Sequence, residues 1–454
     1  MAAIITEKFR LHNAEQFTES FSEASATKYY LFIGKSSPYS TSTTGGNDNA
    51  PPTPKDDITT EFYKWDAMLA AKLISASDVS FVVPRRNWAN NTTYDMYEHD
   101  ISSANTTTSG ASNLFDSTFY FMTTDYRVYK VLDNNNGTAY SGAEPTSEVT
   151  GPFELGGYTL QYMYKLTTSE VQKFLTSDFI PVSTDTSVGA AAIDGSIDTV
   201  RVTAGSGYTD GTYYAAIDGD GANAGGSSGG IVLIKVNGGA IQAQSSTGSN
   251  VYAEGTDYTF ATVDLTTVFT DTALSVSGNI GSGTGGAVQP IISPKGGHGD
   301  DAVKELGGHY VMMNVKLEQA EGDDFAVGND FREVGIVVDP TTNGGSGVYN
   351  GTTARQTYAV AFSSASTIFE PDEKISQTTT GAVGRVVEYD ATNKILYYLQ
   401  ERWENYGVNT NGDYVAFSGA GDITGATSGS VGVPAQPSTN PVTLAGGNTL
   451  SFDA

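Results

Sequence analysis

Apolar positions along this chain recur mostly with the period of a strand, and in a few short stretches with the period of a helix. Near the N-terminus, Asn13 is placed to cap a short helix, with Gln16 three residues on and Phe17 and Phe21 four apart on one face. Tyr29 to Gly34 reads as a strand. A longer helix is predicted over Thr60 to Ser75, where Phe62, Trp65, Met68, Leu69 and Leu73 recur at helical spacing. Val79 to Pro84 predicts a strand, Ser117 to Asp133 a hairpin arm ending at Asn136-Gly137, and Tyr158 to Lys165 a third strand. A short helix over Ser169 to Leu175 and a strand over Phe179 to Val182 follow.

At about residue 183 the pattern changes. From there to about 290 the chain is rich in Gly, Ala, Ser, Thr and Asp, with strand-like runs at Thr199–Thr203, Tyr213–Ile217, Ile231–Val236 and Tyr258–Val263. Turn glycines such as that of Asn237-Gly238 separate the runs, which together predict a small β module. Beyond Pro290, Asp300 to Leu306 predicts a short helix closed by Gly307-Gly308, and Tyr310–Leu317 and Glu333–Val338 predict strands. The last quarter repeats itself. Phe369, Ile375, Gly381, Val383 and Gly384 recur as Phe417, Ile423, Gly429, Val431 and Gly432, a fixed offset of 48 residues (369 to 417). Two copies are too few for a solenoid and point to paired β modules or two halves of one small barrel. A strand over Thr449 to Phe452 closes the chain.

The expected fold is therefore mainly β with a few short helices and several domains: a β-sandwich-like core carrying inserted small β modules. The expected divisions are a core over 1–182, a glycine-rich module over 183–289, a return to the core over 290–364, the repeated modules over 365–436 and a closing strand within 437–454. A length of 454 residues agrees with more than one core.

Composition changes this picture in three ways. The 52 glycines, 26 tyrosines and 20 phenylalanines suit short strands joined by tight turns. A formal net charge of -27 repels phosphate backbones and argues against a nucleic-acid partner. The absence of cysteine removes disulfides, thiol catalysis and thiolate metal sites, and fits folding in a reducing cytoplasm. The first residues carry no signal-peptide pattern, and no apolar run approaches the roughly 20 residues of a spanning helix, so no membrane role is expected.

Candidate chemistry is sparse. His298 with Asp300, Asp301 and His309 could be read as a metal or acid–base site, but the spacing matches no zinc motif, and a loop capping the next helix is favoured. Asp218-Gly219-Asp220-Gly221 resembles the start of a calcium loop, but the twelfth position is Gly229 where a bidentate glutamate is needed, so a hairpin turn is favoured. Acidic pairs such as Asp323-Asp324 have no sequence feature that places them across a cleft. No nucleophile elbow, phosphate-binding loop or dinucleotide fingerprint occurs in its required context, so catalytic residues and cofactors are not expected. Arg85-Arg86 beside Trp88 is the one basic–aromatic cluster. It reads either as internal pairing and stacking or as an interface anchor.

The ordered segments Phe32-Ile-Gly-Lys-Ser-Ser-Pro-Tyr39 and Val82-Val-Pro-Arg-Arg-Asn-Trp88 resemble baseplate wedge protein 8 of T4-like contractile-tailed phages. Asp125–Asp133, Gly157–Leu166, Asp178–Val182, Asn329–Pro340 and Asn448–Phe452 resemble further blocks of that family in the same order. The Gly-Gly-His-Gly stretch at 296–299 and the added modules look most like versions from phages of marine cyanobacteria. The run Ser206 to Tyr213 resembles a bead found in phage structural proteins. The resemblance implies a non-enzymatic, β-rich homodimer in the virion's tail baseplate, assembled in the host cytoplasm. It would pack against other wedge proteins and tail-fibre attachment proteins, and move as a rigid body when the sheath contracts. It assigns no catalytic residues, and regions 186–288 and 365–437 lie outside it. A second reading, an adhesin or fibre protein binding a host glycan, draws on Tyr208, Tyr213, Tyr397, Tyr398 and Trp403 if they are exposed. A third, a polysaccharide depolymerase, would need one acidic pair to stand out.

Overall fold

The computed structural model describes residues 6–23, 27–36, 38–39, 46–53, 68–317, 331–340, 358–400, 407, 415–419 and 421–435, with the backbone of 442–443 and 449–450. As expected, it is mainly β with short helices. The chain forms two compact units, residues 1–22 with 75–314 and residues 23–74 with 315–454. Helix α1 (Glu7–Glu19) begins the first unit, and strands β1 (Tyr29–Gly34) and β2 (Met68–Leu73) begin the second. No described helix is long and apolar enough to cross a membrane.

Helix α1 starts earlier than its sequence pattern indicates. Thr6, not Asn13, is the cap, its hydroxyl accepting the Phe9 N–H at 3.3 Å. Asn13 lies mid-helix and exposed, while Leu11 and Ala14 are buried. The pattern at 13–21 was that of the helix interior, and its first turn carries a cap of the same chemical kind seven residues back.

The first unit is built on β3 (Val79–Pro84), β4 (Tyr120–Met122), β5 (Arg127–Asp133), β6 (Phe153–Leu155), β7 (Tyr158–Lys165) and β8 (Phe179–Pro181). Helix α2 (Thr168–Phe174) joins the last two and carries a capping box between Thr167 and Glu170. The expected single arm over 117–133 is itself a hairpin, β4 turning into β5 at Thr123–Tyr126. Strands β4, β5, β7 and β6 form one sheet in the order β4-β5-β7-β6. Both its faces are covered. Tyr120, Met122, Val128, Leu132 and Tyr164 belong to one apolar cluster, and Phe121, Tyr129, Val131, Leu160 and Tyr162 to another. That is why β5 and β7 read as nearly continuous apolar runs rather than clean alternations.

After helix α3 (Thr186–Ala191) comes the glycine-rich module: β9 (Ile197–Ser206), β10 (Gly211–Gly219), β11 (Ile231–Asn237), β12 (Ala240–Ile241), β13 (Asn250–Ala253), β14 (Ala261–Val263) and β15 (Thr284–Ile292). Its first and last strands, β9 and β15, pair antiparallel, so the module leaves and re-enters the core at one place. The intervening strands form a second sheet, and residues of both layers share one apolar cluster around Ile217, Ile234 and Val288. The bead at 206–213 is a closing turn. Tyr208 N–H donates to Gly239 O at 3.0 Å, Thr209 N–H to Ile280 O at 2.8 Å, and the Tyr208 hydroxyl accepts from Gly286 N–H at 3.0 Å. Helix α4 (Ala302–Leu306) and strand β16 (Tyr310–Met313) complete the unit, β16 adding to β3 in the order β16-β3-β8.

In the second unit, β17 (Glu333–Val338), β1 and β2 form a three-stranded sheet with β1 central. This corrects the expected helix over Thr60 to Ser75. Residues 60–67, with Phe62 and Trp65, lie outside the described set, but Met68–Leu73 pair with Tyr30–Gly34 as a strand. Their burial alternates with period two. Helical spacing of Met68, Leu69 and Leu73 lost to the hydrogen bonds that β1 offers across the chain.

Strands β18 (Tyr358–Ala365), β19 (Lys374–Gln377), β20 (Ala382–Asp390), β21 (Ile395–Leu399), β22 (Ile423–Gly425) and β23 (Val431–Pro434) close into one barrel, β18-β21-β20-β19-β22-β23. The repeat explains its centre. Ser376 pairs with its own equivalent, Thr424, flanked by Ile375↔Gly425 and Gln377↔Ile423, so the two copies meet about a local twofold. The hairpins match too, Ile375↔Gly384 against Ile423↔Gly432. The shared Gly-x-Val-Gly is legible in physical terms. Gly381 and Gly429 turn the chain at φ +80° and +65°. A side-chain carbon on Gly384 would lie 3.2 Å from the Phe417 ring, and one on Gly432 only 2.5 Å from the Phe362 ring. The copies are not identical. Buried Glu373 accepts the Thr427 and Ser428 N–H groups at 2.9 Å, and buried Gln377 donates to Ser418 O and Gly421 O at 2.8 and 2.7 Å. The equivalents in the second copy are Gly421 and Gly425, so these two holds on the other copy's loops are not reciprocated.

Ile375 and Ile423 are both fully buried. Ile375→Ala and Ile423→Ala should therefore each destabilise the barrel by about 2–5 kcal/mol and by similar amounts. Denaturant-dependent hydrogen exchange of the barrel amides tests this, and a cost under about 1 kcal/mol at either position would contradict the equivalence.

Candidate functional site

Two polar constellations in the first unit merit a functional reading. The first is Arg85, Arg86 and Trp88. Just past the end of β3, Arg86 O accepts the Met122 N–H at 2.7 Å and Trp88 N–H donates to Met122 O at 2.8 Å, which ties this segment to the end of β4. The Arg86 guanidinium then lies 4.3 Å over the Tyr120 ring, and one of its amino groups donates to Phe115 O at 2.9 Å. Burial pulls its pKa below the ordinary range, against the pull of Tyr120, Asp95 and Asp116. Arg85 donates to Thr176 O at 2.7 Å and to Asn87 Oδ1 at 3.0 Å, holding the turn before β8. Trp88 meets Tyr140 edge-on at 6.0 Å. The contacts of all three residues named here lie inside the unit. Two donors, Arg86 Nη1 and Trp88 Nε1, are buried with no hydrogen-bond partner among the described residues.

The second constellation surrounds His298, with partners that differ from those its sequence neighbourhood offers. Gly297 and Gly299 flank it at φ +97° and +98°, a backbone that only glycine adopts freely, and a side-chain carbon on Gly297 would lie 2.4 Å from Ile193 N. This loop turns the His298 ring inward. Nε2 stands 3.6 Å from Asp198 Oδ2 and Nδ1 3.9 Å from Glu305 Oε2, while the ring packs edge-on against Tyr97 at 5.0 Å. Lys130, in the middle of β5 and fully buried, pairs with Glu305 Oε2 and lies 4.9 Å over the Tyr97 ring. Glu305 Oε1 accepts the Gly299 and Asp301 N–H groups at 2.7 and 3.3 Å. Burial alone would raise the Glu305 pKa, but Lys130 and His298 hold it below its usual range. Burial, aided by Lys130, lowers that of His298 against the pull of Glu305 and Asp198.

Asp300, Asp301 and His309 do not join this group. Asp300 is exposed, and Asp301 caps α4 by accepting the Lys304 N–H at 3.0 Å. His309 packs at a tilt against Tyr310, ring centroids 4.3 Å apart, with Nδ1 3.7 Å from Glu7. Among the described residues no three acidic or imidazole side chains gather as a metal ion would require. The Asp220 carboxylate is exposed and engaged at the base of the β10–β11 connection by the Thr259 hydroxyl and by the Thr259 and Phe260 N–H groups at 2.8 and 2.9 Å, which hold its pKa at about 2. Tyr213, Tyr397 and Tyr398 are buried and Tyr208 is half-buried, so they offer no open aromatic surface. Trp403 and Asp323-Asp324 lie outside the described residues.

Sequence reading missed Lys130, Glu305, Asp198 and Tyr97, which come from four separate stretches. A lysine inside the apolar run Val128–Leu132 was the available signal, since a buried lysine requires a partner. It also missed Asp95, 1% exposed, which accepts hydrogen bonds from Ser109 and Thr118 N–H groups at 2.7 and 2.8 Å.

Residues 3–151 match the model of the family described as Bacteriophage T4, Gp8. The match covers the N-terminal third of the chain and supports the wedge-protein family indicated by the residues. No curated protein matches the chain.

Two substitutions test these assignments. Lys130→Ala, which strands a buried carboxylate, should cost about 3–5 kcal/mol in chemical denaturation, and Lys130→Met with Glu305→Gln should recover most of that loss. Arg86→Lys should cost about 1–3 kcal/mol, because an ammonium cannot both lie flat on Tyr120 and reach Phe115 O. An unchanged denaturation midpoint in Arg86→Lys would remove the stacking role.

Proposed function

We propose that this protein is a structural, non-enzymatic component of the baseplate wedge of a contractile-tailed phage. The family match over residues 3–151 carries the reading. The ordered resemblances beyond it, through Gly157–Leu166, Asp178–Val182 and Asn329–Pro340, extend support past the matched region. The inward commitment of Arg85, Arg86 and His298 supports it too, since these polar groups brace the fold. In this role the protein acts in the virion's tail baseplate as a homodimer. It packs against other wedge proteins and against tail-fibre attachment proteins, and shifts as a rigid body when the sheath contracts. Assembly takes place in the host cytoplasm. The glycine-rich module and the duplicated barrel are additions to the wedge-protein core that face neighbouring baseplate proteins, tail fibres or solvent.

The glycan-binding alternative has no comparable observation, because most of the tyrosines that prompted it are buried or half-buried. Cryo-electron microscopy of the virion's tail end tests the proposal. Paired copies of this chain in each wedge are expected, and a baseplate fully accounted for by other chains, with this one only in distal fibres, would overturn it.

A further inference from the structure

We propose that the His298 cluster is a proton-operated lock: protonation of His298 loosens the hold of the module spanning β9 to β15 on the core of its unit. The inference goes beyond the assembly role and does not depend on it.

The lock is defined by where its parts come from. Asp198 belongs to β9, the module's first strand. Lys130 belongs to β5, Glu305 to α4, and His298 to the loop that leads out of β15, while Tyr97 comes from the segment before β4. The contacts nearby tie the same two parts. Thr199 Oγ1 donates to Leu132 O at 3.3 Å, the Tyr97 hydroxyl to Ile292 O at 3.2 Å, and Ile292 N–H to His99 Nδ1 at 3.2 Å. Arg201 of β9 pairs with Glu98 and Asp100. His298 is thus a titratable group at the centre of the seam, with His99, Glu98 and Asp100 tying other points of it.

A neutral imidazole carries one N–H, and an imidazolium carries two that both need acceptors. Here the carboxylates beside the ring are shared with other donors and stand too far from it for a hydrogen bond. Glu305 Oε1 holds two backbone N–H groups, and Oε2 holds Lys130. Asp198 Oδ2 accepts the Ser196 hydroxyl at 2.8 Å. Neither ring nitrogen is within hydrogen-bond reach of a carboxylate, and Nδ1 is buried without a partner among the described residues. The groups facing the ring are Asp198, Glu305, Lys130 and Tyr97, with Glu254 close enough to Asp198 to feel its charge. Two carboxylates favour a second proton, but burial and the Lys130 ammonium oppose it, and the balance holds His298 below its ordinary range. The closed seam therefore binds fewer protons than the opened one. Its stability is fully present above the ordinary imidazole pKa of about 6.5 and falls as pH drops below that value.

Hydrogen exchange followed by mass spectrometry on the full chain, at pH 7.5 and 5.5 and corrected for intrinsic rates, tests the lock. Amides of β9, of β15 and of residues 293–301 should lose protection severalfold on acidification, up to the ceiling of about tenfold that one imidazole with an opened-state pKa of about 6.5 sets between these two pH values. Barrel amides should not change in step. His298→Gln, which cannot titrate, should reduce the pH dependence, leaving only the part carried by His99, whose Nδ1 accepts the Ile292 N–H. Protection that stays constant or rises in acid, or an equal loss in His298→Gln, would overturn the proposal. If His298→Gln does not fold, the imidazole resonance of His298 in the unaltered protein decides. A ring titrating at or above about 6.5 is incompatible with the lock.

Discussion

A lysine with no exposed surface constrains the first unit more than any other group. Lys130 sits on β5 between Val128 and Leu132, on the sheet face that also carries Tyr120 and Gln161. An ammonium there is tolerable only with a buried carboxylate beside it. Glu305 provides one, and the demand spreads outward from that pair. Glu305 must be delivered by a short helix, α4, and its second oxygen gathers the Gly299 and Asp301 amides. The glycines at 296, 297 and 299 let the loop take the left-handed turns that bring those amides and the His298 ring into place. Asp198 then draws the first strand of the inserted module to the same point. One buried charge thus links the core sheet, the loop, α4 and the module.

The module's attachment follows a general rule for insertions. Because β9 and β15 are paired neighbours, the core sees two adjacent chain ends whatever lies between them, and the intervening strands form their own apolar cluster. The barrel of the second unit solves a related problem by duplication. Each copy supplies one hairpin, pairing the hairpins about Ser376 and Thr424 joins one edge of each, and β21 and β18, which lie outside the repeat, complete the ring between β20 and β23. Glu373 and Gln377 break the symmetry, each serving loops of the second copy that have glycine where a reciprocal side chain would be.

Local signals were legible where a single short stretch holds all the information. The strands over 29–34, 79–84, 158–165 and 333–338 appear with the expected bounds. The Gly307 helix stop lies in the left-handed region at φ +76°. The repeat announced the barrel hairpins, and its Gly-x-Val-Gly carried both the turn and the close approach. Signals failed where a partner lay far along the chain. Met68–Leu73 has helical spacing, but β1 hydrogen-bonds to it. Asn13 has cap chemistry, but Thr6 was nearer the true helix start. His298 was noticed for its glycines and neighbouring aspartates, yet its partners lie at 97, 130, 198 and 305.

The sequence by itself determined the strand-rich class, the change of character near 183, the duplicated element at 369–434 and the resemblance to a wedge-protein family. Each rests on periodicity, composition or word order, which are properties of contiguous residues. Only the tertiary structure decided that Arg86 stacks on Tyr120, that the repeats close into one barrel, and that Lys130, Glu305, His298 and Asp198 share one site. Those outcomes depend on which distant charges and edges must satisfy each other once water is removed, and pairwise demands of that kind leave no periodic trace along the chain.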